Sequence, residues 1–365
     1  MSQSQAVTRE RNYGIDLLRI VSMMMVVTLH VLGHGGVLKG TSMLTVNYEV
    51  AWALEILSYC AVNCYALISG YVGVESRFKL TNIILIWLQA AFYSVLLTAL
   101  CAYLSPDIYM DSVWKAFTPL QNDTYWYFTA YFFVFFFTPF INAAVNSLSS
   151  NQLKVIGVLL VLLACILPMF LKNDIFFLNN GYSALWILIM YVLGGIIKKT
   201  GFMQKLKWYV LAFLYLLACF ITWAEKYFVD YIKSNATHTI DLKSKLDSYT
   251  SVTIVLAAIV LLVLFSKMKI GKVSSKIISF FATLTFGVYL IHEMPLIRNM
   301  FMKGRFVEYA AMDALKMLGY VALTVVSIFL LCAFIEYLRV LLFRLLHIKQ
   351  LLQFIEGKTF GKIYK

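Results

Sequence analysis

Residues 11–36, RNYGIDLLRIVSMMMVVTLHVLGHGG, decide how the rest of the chain is read. The apolar run is long enough to cross a bilayer, yet Asp16, Arg19, His30 and His34 lie within it or at its edges. Ionisable groups at that depth are costly, which makes each a candidate functional residue. At about 100° per residue, the eleven steps from Arg19 to His30 complete three turns plus about 20°, so both side chains project from one stripe, about 16 Å apart along the axis. One helix face thus carries a fixed cation toward one end and a titratable imidazole toward the other.

Working outward, the other segments share this apolar character. Of 365 residues, 61% are hydrophobic and 13% charged, and the mean hydropathy is +0.80. Such a composition lies outside that of soluble domains and predicts an all-α, polytopic integral membrane protein. The first apolar run has no small-residue cleavage site after it and is read as a retained span rather than a signal peptide. Windows of about 20 apolar residues predict about ten crossings, near 15–36, 49–72, 82–104, 125–146, 152–171, 183–200, 208–229, 250–267, 276–300 and 314–346. The last is longer than a bilayer needs. From Arg339 onward it is expected to run along the surface as an amphipathic helix, with residues 347–365 as a cytoplasmic tail. No stretch reads as a separate soluble unit, so 1–365 is taken as a single transmembrane domain.

The net charge of +13 raises the question of nucleic acid, which the charge distribution excludes. Arg9, Arg11, Arg77, Lys79, the lysines at 198–207 and 267–276, and Arg339, Arg344, Lys349 and Lys358 fall on one side of a ten-span array. That side is expected to be cytoplasmic and to hold both termini. Loops on the other side are mixed, with Asp107, Asp111, Asp123, Lys172, Asp174, Asp230, Lys233, Asp241, Lys243, Lys245 and Asp247. One loop, 298–313, departs from the pattern: it places Arg298, Lys303 and Arg305 outside, against Glu308 and Asp313. The six cysteines sit mostly in apolar segments, so neither a disulfide framework nor a zinc site is expected.

Depth then selects candidate residues. The second span returns from outside and brings Glu55 to about the depth of His30, and the ninth carries Tyr289, His292 and Glu293 in its outer half. Two imidazoles and two carboxylates reach one level. A carboxylate beside an imidazole fixes its tautomer and raises its basicity, as a general base acting on a hydroxyl requires. His30 and His34 have the i, i+4 spacing of metal ligands, but no further ligand lies nearby in sequence and no metal is expected.

These residues resemble the acyltransferase-3 family of integral membrane O-acyltransferases. Arg19 and His30, with ten residues between them, match that family's R-x10-H pattern. The resemblance continues, in order, through Ala66-Leu67-Ile68-Ser69-Gly70-Tyr71, the basic Arg77-Phe78-Lys79, Trp126-Tyr127-Phe128 and Phe286-Gly287-Val288-Tyr289-Leu290-Ile291-His292. It implies transfer of an acyl group, usually acetyl, from cytoplasmic acyl-CoA to a sugar hydroxyl of a cell-surface polysaccharide or glycolipid precursor. It further implies His30 as base or transient acyl carrier, with Glu55, His292 and Glu293 around it. Arg19 belongs to the donor path, with Arg77 and Lys79 at its phosphate end and Trp126, Tyr127 and Tyr289 on the sugar. Where the family has a second arginine beyond the second span, Lys79 supplies a point charge instead of a bidentate fork.

The expected setting is a bacterial plasma membrane, with acetyl-CoA or another acyl-CoA and a glycan or lipid-linked sugar as partners; nothing in the sequence bars a homo-oligomer. A transporter or flippase for a glycan or small solute is the rival from another class. Such a carrier more often shows paired broken helices or a mid-membrane acidic site, and neither is evident in the sequence.

Overall fold

The computed structural model describes residues 11–105, 110–171, 173–236, 238 and 242–360. Among the loop charges read from sequence, Arg9, Asp107, Lys172 and Asp241 lie outside the described residues, as does the end of the tail, 361–365. All regular structure among the described residues is helical. Eight segments are long and apolar enough to cross a membrane, and they match the first five, the seventh, the ninth and the tenth expected spans. The expected sixth and eighth spans are shorter helices, of 17 and 15 residues. The protein is a multi-pass membrane protein.

The principal helices, numbered in chain order and passing over single turns, are α1 (Tyr13–Leu32), α2 (Val46–Tyr59), α3 (Ala61–Gly73), α4 (Leu80–Leu104), α5 (Trp126–Ser147), α6 (Ser150–Val161), α7 (Ala184–Thr200), α8 (Trp208–Asn235), α9 (Val252–Ser266), α10 (Lys272–His292), α11 (Ala314–Leu345) and α12 (Ile348–Phe360). Their starts follow local chemistry. Asn12 caps α1 by accepting the Ile15 amide at 3.1 Å, and its amide donates to the Ser266 carbonyl at the end of α9. Ser149 and Gln152 form a reciprocal capping box at the start of α6.

One expected boundary moves. The ninth span is expected to reach residue 300, but α10 ends at His292, and Pro295 two residues past the Glu293 cap begins a separate turn. The tenth keeps its expected length, 314–346, as α11 continues to Leu345. Arg339 is held inside it by Glu336, and the surface-type helix begins only at Ile348, after His347 at a φ of 51°. Glu336 has no exposed surface and is fully satisfied: it accepts from Gln89 Nε2 (3.0 Å), Tyr93 OH (2.7 Å) and Arg339. A buried carboxylate is tolerated there because every lone pair has a donor.

The stretch 11–36 is the centre of the packing. α1 touches α2, α3, α9, α10 and α11, while α5, α6, α8 and α11 turn Phe133, Phe140, Val158, Phe213, Phe220 and Leu330 outward. Exposed apolar faces of that extent fit a lipid surround, in which backbone groups are satisfied within each helix. Among the described residues two large apolar cores result, both drawing on α1, one between α3, α7 and α9 and the other between α4, α10 and α11, beside a small one around Val74, Val145, Leu153 and Ile196.

Helices α3 and α7 pack closely against one another. A Cβ at Gly70 would stand 1.8 Å from the Tyr191 carbonyl oxygen, and one at Gly194 would stand 2.1 Å from the Leu67 carbonyl. Both obstacles are backbone, so neither can swing aside, and two glycines set the helix separation. Gly70→Ala is expected to cost about 1–3 kcal/mol of stability through forced separation, read as a lower unfolding midpoint in detergent than that of the conservative exposed change Leu330→Val.

Candidate active site

α1 ends at Leu32 with Gly33 as its cap, which leaves His30 in its last turn. α10 ends at His292 with Glu293 as its cap. α1 and α10 pack side by side, so their ends meet. His30 Nδ1 lies 3.0 Å from His292 Nε2, and His292 Nδ1 lies 2.6 Å from the Val288 carbonyl one turn back.

These two contacts assign the protons. A carbonyl oxygen only accepts, so neutral His292 carries its hydrogen on Nδ1 and presents Nε2 as an acceptor. His30 must then donate from Nδ1, and its Nε2 keeps the lone pair. Glu293 reinforces this tautomer: its Oε2 stands 3.1 Å from His30 Nδ1, and its Oε1 accepts from Arg298 at 2.5 Å. No described protein group bonds His30 Nε2, and His30 lines a cavity of about 350 Å³.

That cavity lies at the seam between the two apolar cores, with Val62 and Tyr249 from one and Met23, Val26 and Tyr289 from the other. Its walls include several residues picked out from the sequence, namely His30, Glu55, Glu293, Trp126, Tyr127 and Tyr289. His292 stands behind His30, buried, and reaches the cavity only through it. Glu55 borders the same space, but the carboxylate beside His30 is Glu293; Glu55 Oε2 is buried and has no hydrogen-bond partner among the described residues. Trp126 packs on Tyr182 with ring centres 4.7 Å apart, and Tyr127 meets Tyr289 edge-on at 6.3 Å.

Sequence reasoning missed much of the wall: Tyr59, Tyr65, Tyr182, Tyr249, Phe286 and Arg298. Tyr182 and Tyr249 come from segments between helices and meet at a tilt, with ring centres 5.1 Å apart. No periodicity marks them, although an aromatic next to a span start is a weak cue. Burial pushes both phenols above their ordinary range, so they serve as neutral hydrogen-bonding walls. Arg298 did leave a trace, as one of the cations in the loop that departs from the charge pattern.

The cationic end of α1 is a different place. Arg19 NH1 donates to Asp16 Oδ1 at 2.7 Å, and Arg11 Nε donates to Asp16 Oδ2 at 2.5 Å. Together with Asn12, Tyr71 and Lys198 these three line a second cavity of about 240 Å³. Arg19 and His30 therefore open onto separate cavities at the two ends of one helix. Tyr65 links them, since it borders the His30 cavity and its hydroxyl donates to the Arg19 carbonyl at 2.7 Å. Arg77 and Lys79 are exposed just before α4 and border neither cavity.

His30, His34 and Glu293 are the described residues that could hold a metal ion, with ligand atoms within 4.8 Å of one another. The donor set fits poorly. Glu293 already neutralises Arg298, whose guanidinium would repel a divalent cation, and His30 Nδ1 is committed to His292. The geometry is that of a proton-holding chain: an oriented imidazole with one free nitrogen, backed by a second imidazole, a carboxylate and an arginine. It can accept a proton from a group in the cavity and hold the resulting charge beside Glu293.

A family model described as an acyltransferase domain matches residues 12–336. No curated protein and no solved structure matches the chain. The match begins at the α1 cap and ends at the buried Glu336, so it takes in every residue that lines the His30 cavity. With its membrane-spanning helices, the chain belongs to the acyltransferase-3 family of membrane acyltransferases.

Proposed function

We propose that this acyltransferase moves an acyl group, in the first instance acetyl, from cytoplasmic acyl-CoA to a hydroxyl of a cell-surface polysaccharide or glycolipid precursor, in a bacterial plasma membrane. The observation that carries this reading is the tautomer of His30, which leaves a lone pair on Nε2 at the wall of a largely aromatic cavity. The family favours transfer over the carrier alternative.

On this reading the acceptor hydroxyl gives its proton to His30 Nε2 as its oxygen attacks the thioester carbonyl carbon. His292 and Glu293 are positioning residues: they fix the ring and stabilise the imidazolium that forms. The tetrahedral intermediate then collapses, the carbon–sulfur bond breaks, and His30 returns the proton to the leaving thiolate. The products are an ester and free coenzyme A. Trp126, Tyr127 and Tyr289 give apolar faces to a sugar ring, and Glu55, whose Oε2 no described protein group satisfies, is left to accept from an acceptor hydroxyl.

Arg11, Arg19 and Lys198 surround the cavity at the opposite end of α1 and suit the phosphates of the donor. The pantetheine arm is long enough for the roughly 16 Å between Arg19 and His30 along the helix. Arg77 and Lys79 line neither cavity, so their part is confined to drawing the anionic donor toward the membrane surface.

Surface glycans from cells making matched amounts of wild-type protein or His30→Ala test the reading by mass spectrometry. An acyl mass increment with wild type is expected to fall by 10²-fold or more with His30→Ala; unchanged glycans in both would sink it. Arg19→Ala is expected to raise the donor KM at least tenfold with kcat little altered, measured as release of free coenzyme A thiol. His292→Ala should lower kcat and leave the donor KM in place, the mark of a positioning role. Chelators are expected to leave the rate unchanged; a loss restored by added zinc would replace the proton-holding chain with a metal at His30, His34 and Glu293.

A further inference from the structure

The loop that departs from the charge pattern is accounted for by a third cavity. A space of about 620 Å³ adjoins the His30 cavity and shares Gly33, His34 and Arg298 with it; its remaining wall includes Lys39 and Lys303. A Cβ at Gly33 would meet only a carbonyl of its own helix, so the passage between the two spaces is open on that side. The vestibule has three cations in its lining and no carboxylate among the described residues. Arg298 is shared with Glu293, whereas Lys39 and Lys303 have no ion-pair partner among the described residues.

The two lysines are far apart in sequence, and the backbone fixes them relative to one another. The Gly304 amide donates to the His34 carbonyl and the Phe306 amide to the Gly35 carbonyl, both at 2.9 Å. These bonds pin the loop carrying Lys303 to the turn that follows α1. Cations on the side of the array that elsewhere carries mixed charge run against the usual distribution and call for a reason. A larger space of about 740 Å³ reaches the His30 cavity at Tyr59 and Tyr182, but its lysines are interleaved with Asp230 and Asp247, and Lys226 is already paired with Asp230. That larger space is also net positive, but its charges are mixed, whereas the space beside His34 is lined by cations with no carboxylate among the described residues.

We propose that the acceptor is anionic: a carboxylate or phosphate on the sugar is held by Lys39 and Lys303, with Arg298 at the inner edge, while a neighbouring hydroxyl enters past Gly33 to His30. This rests on the transferase reading and adds to it the charge of the acceptor. It also separates donor and acceptor anions, which are held by different cations at opposite ends of α1.

The test uses the full chain in nanodiscs, with thermal unfolding as the readout and three probes: trigalacturonate for a carboxylate, glycerol 3-phosphate for a phosphate, and neutral maltotriose. At least one anionic probe is expected to raise the unfolding midpoint where maltotriose does not, and whichever does so names the source of the charge. That protection should disappear in the Lys39→Ala/Lys303→Ala double variant, persist in Lys39→Arg/Lys303→Arg, and fade near 1 M salt, where the screening length is about 3 Å. Protection by acetyl-CoA should be unchanged in the double alanine variant, which also shows that it is folded.

The proposal is overturned if neither anion protects better than maltotriose, or if the double alanine variant keeps the protection. It is equally overturned if that variant loses acetyl-CoA protection, since the cluster would then hold the donor. A failure of the transferase reading is seen separately, as wild-type protein that acetyl-CoA does not protect and surface glycans that carry no acyl increment.

Discussion

A hydrogen bond between two imidazoles, His30 Nδ1 and His292 Nε2, is the constraint on which the candidate site depends. It is possible only because α1 and α10 end at the same level and lie side by side. Everything around it follows from the need to satisfy polar groups that the membrane interior would otherwise penalise. His292 returns its proton to the Val288 carbonyl of its own helix, Glu293 caps that helix and faces the pair, and Arg298 neutralises Glu293. Donation runs from His30 through His292 to the Val288 carbonyl, which leaves the lone pair of His30 Nε2 free at the start of the chain. A buried network held in one orientation in this way presents a defined atom at which it can react.

The same rule governs the other buried charges. Glu336 is surrounded by donors from α4 and α11, and it pairs with Arg339 one turn further along its own helix. Asp16 is shared between Arg11 and Arg19, so the arginine stripe of α1 is partly neutralised where it begins. Glu55, on the wall of the His30 cavity, departs from that rule, since its Oε2 is buried with no hydrogen-bond partner among the described residues. The folded chain gains nothing from such an atom, and a substrate group is the natural partner.

The spans, and the importance of residues 11–36, were legible in the sequence because both rest on quantities that it states directly: apolar length and helical period. Depth was legible too, and it brought His30, Glu55, His292 and Glu293 to one level. What depth does not contain is the rotation of each helix and the identity of its neighbours. For that reason Glu55 and Glu293 looked alike from the sequence, although only Glu293 meets His30. Arg77 and Lys79 sit near the right end of the molecule, but the chain leaves α3 in a direction that keeps them off the cavity wall, and Lys198 from α7 takes that place. Tyr182 and Tyr249 were illegible for another reason. They lie between helices, where no period exists, and the packing of α7, α8 and α9 alone carries them over the site.

The arrangement of charge along α1 bears on how transfer across a membrane can be organised. Donor and acceptor of the proposed reaction are both hydrophilic and approach from opposite faces, so a single wide site would amount to a leak. The structure instead has small cavities in series: a cationic one around Arg19, an aromatic one around His30, and a second cationic one beyond Gly33. Cations at the two mouths attract anions from either side, while the chamber between them is walled largely by aromatic side chains and its Arg298 is already paired with Glu293. Only a group that sheds its charge at the mouth, an uncharged thioester arm from one end or a hydroxyl from the other, fits the middle. Helix α1 lines the first two, its cap Gly33 borders the third, and it is packed by five neighbours, so the Arg19 and His30 cavities are held apart by a rigid element. Selectivity for transfer over leakage can then arise from where charge is placed along one helix, without a moving gate.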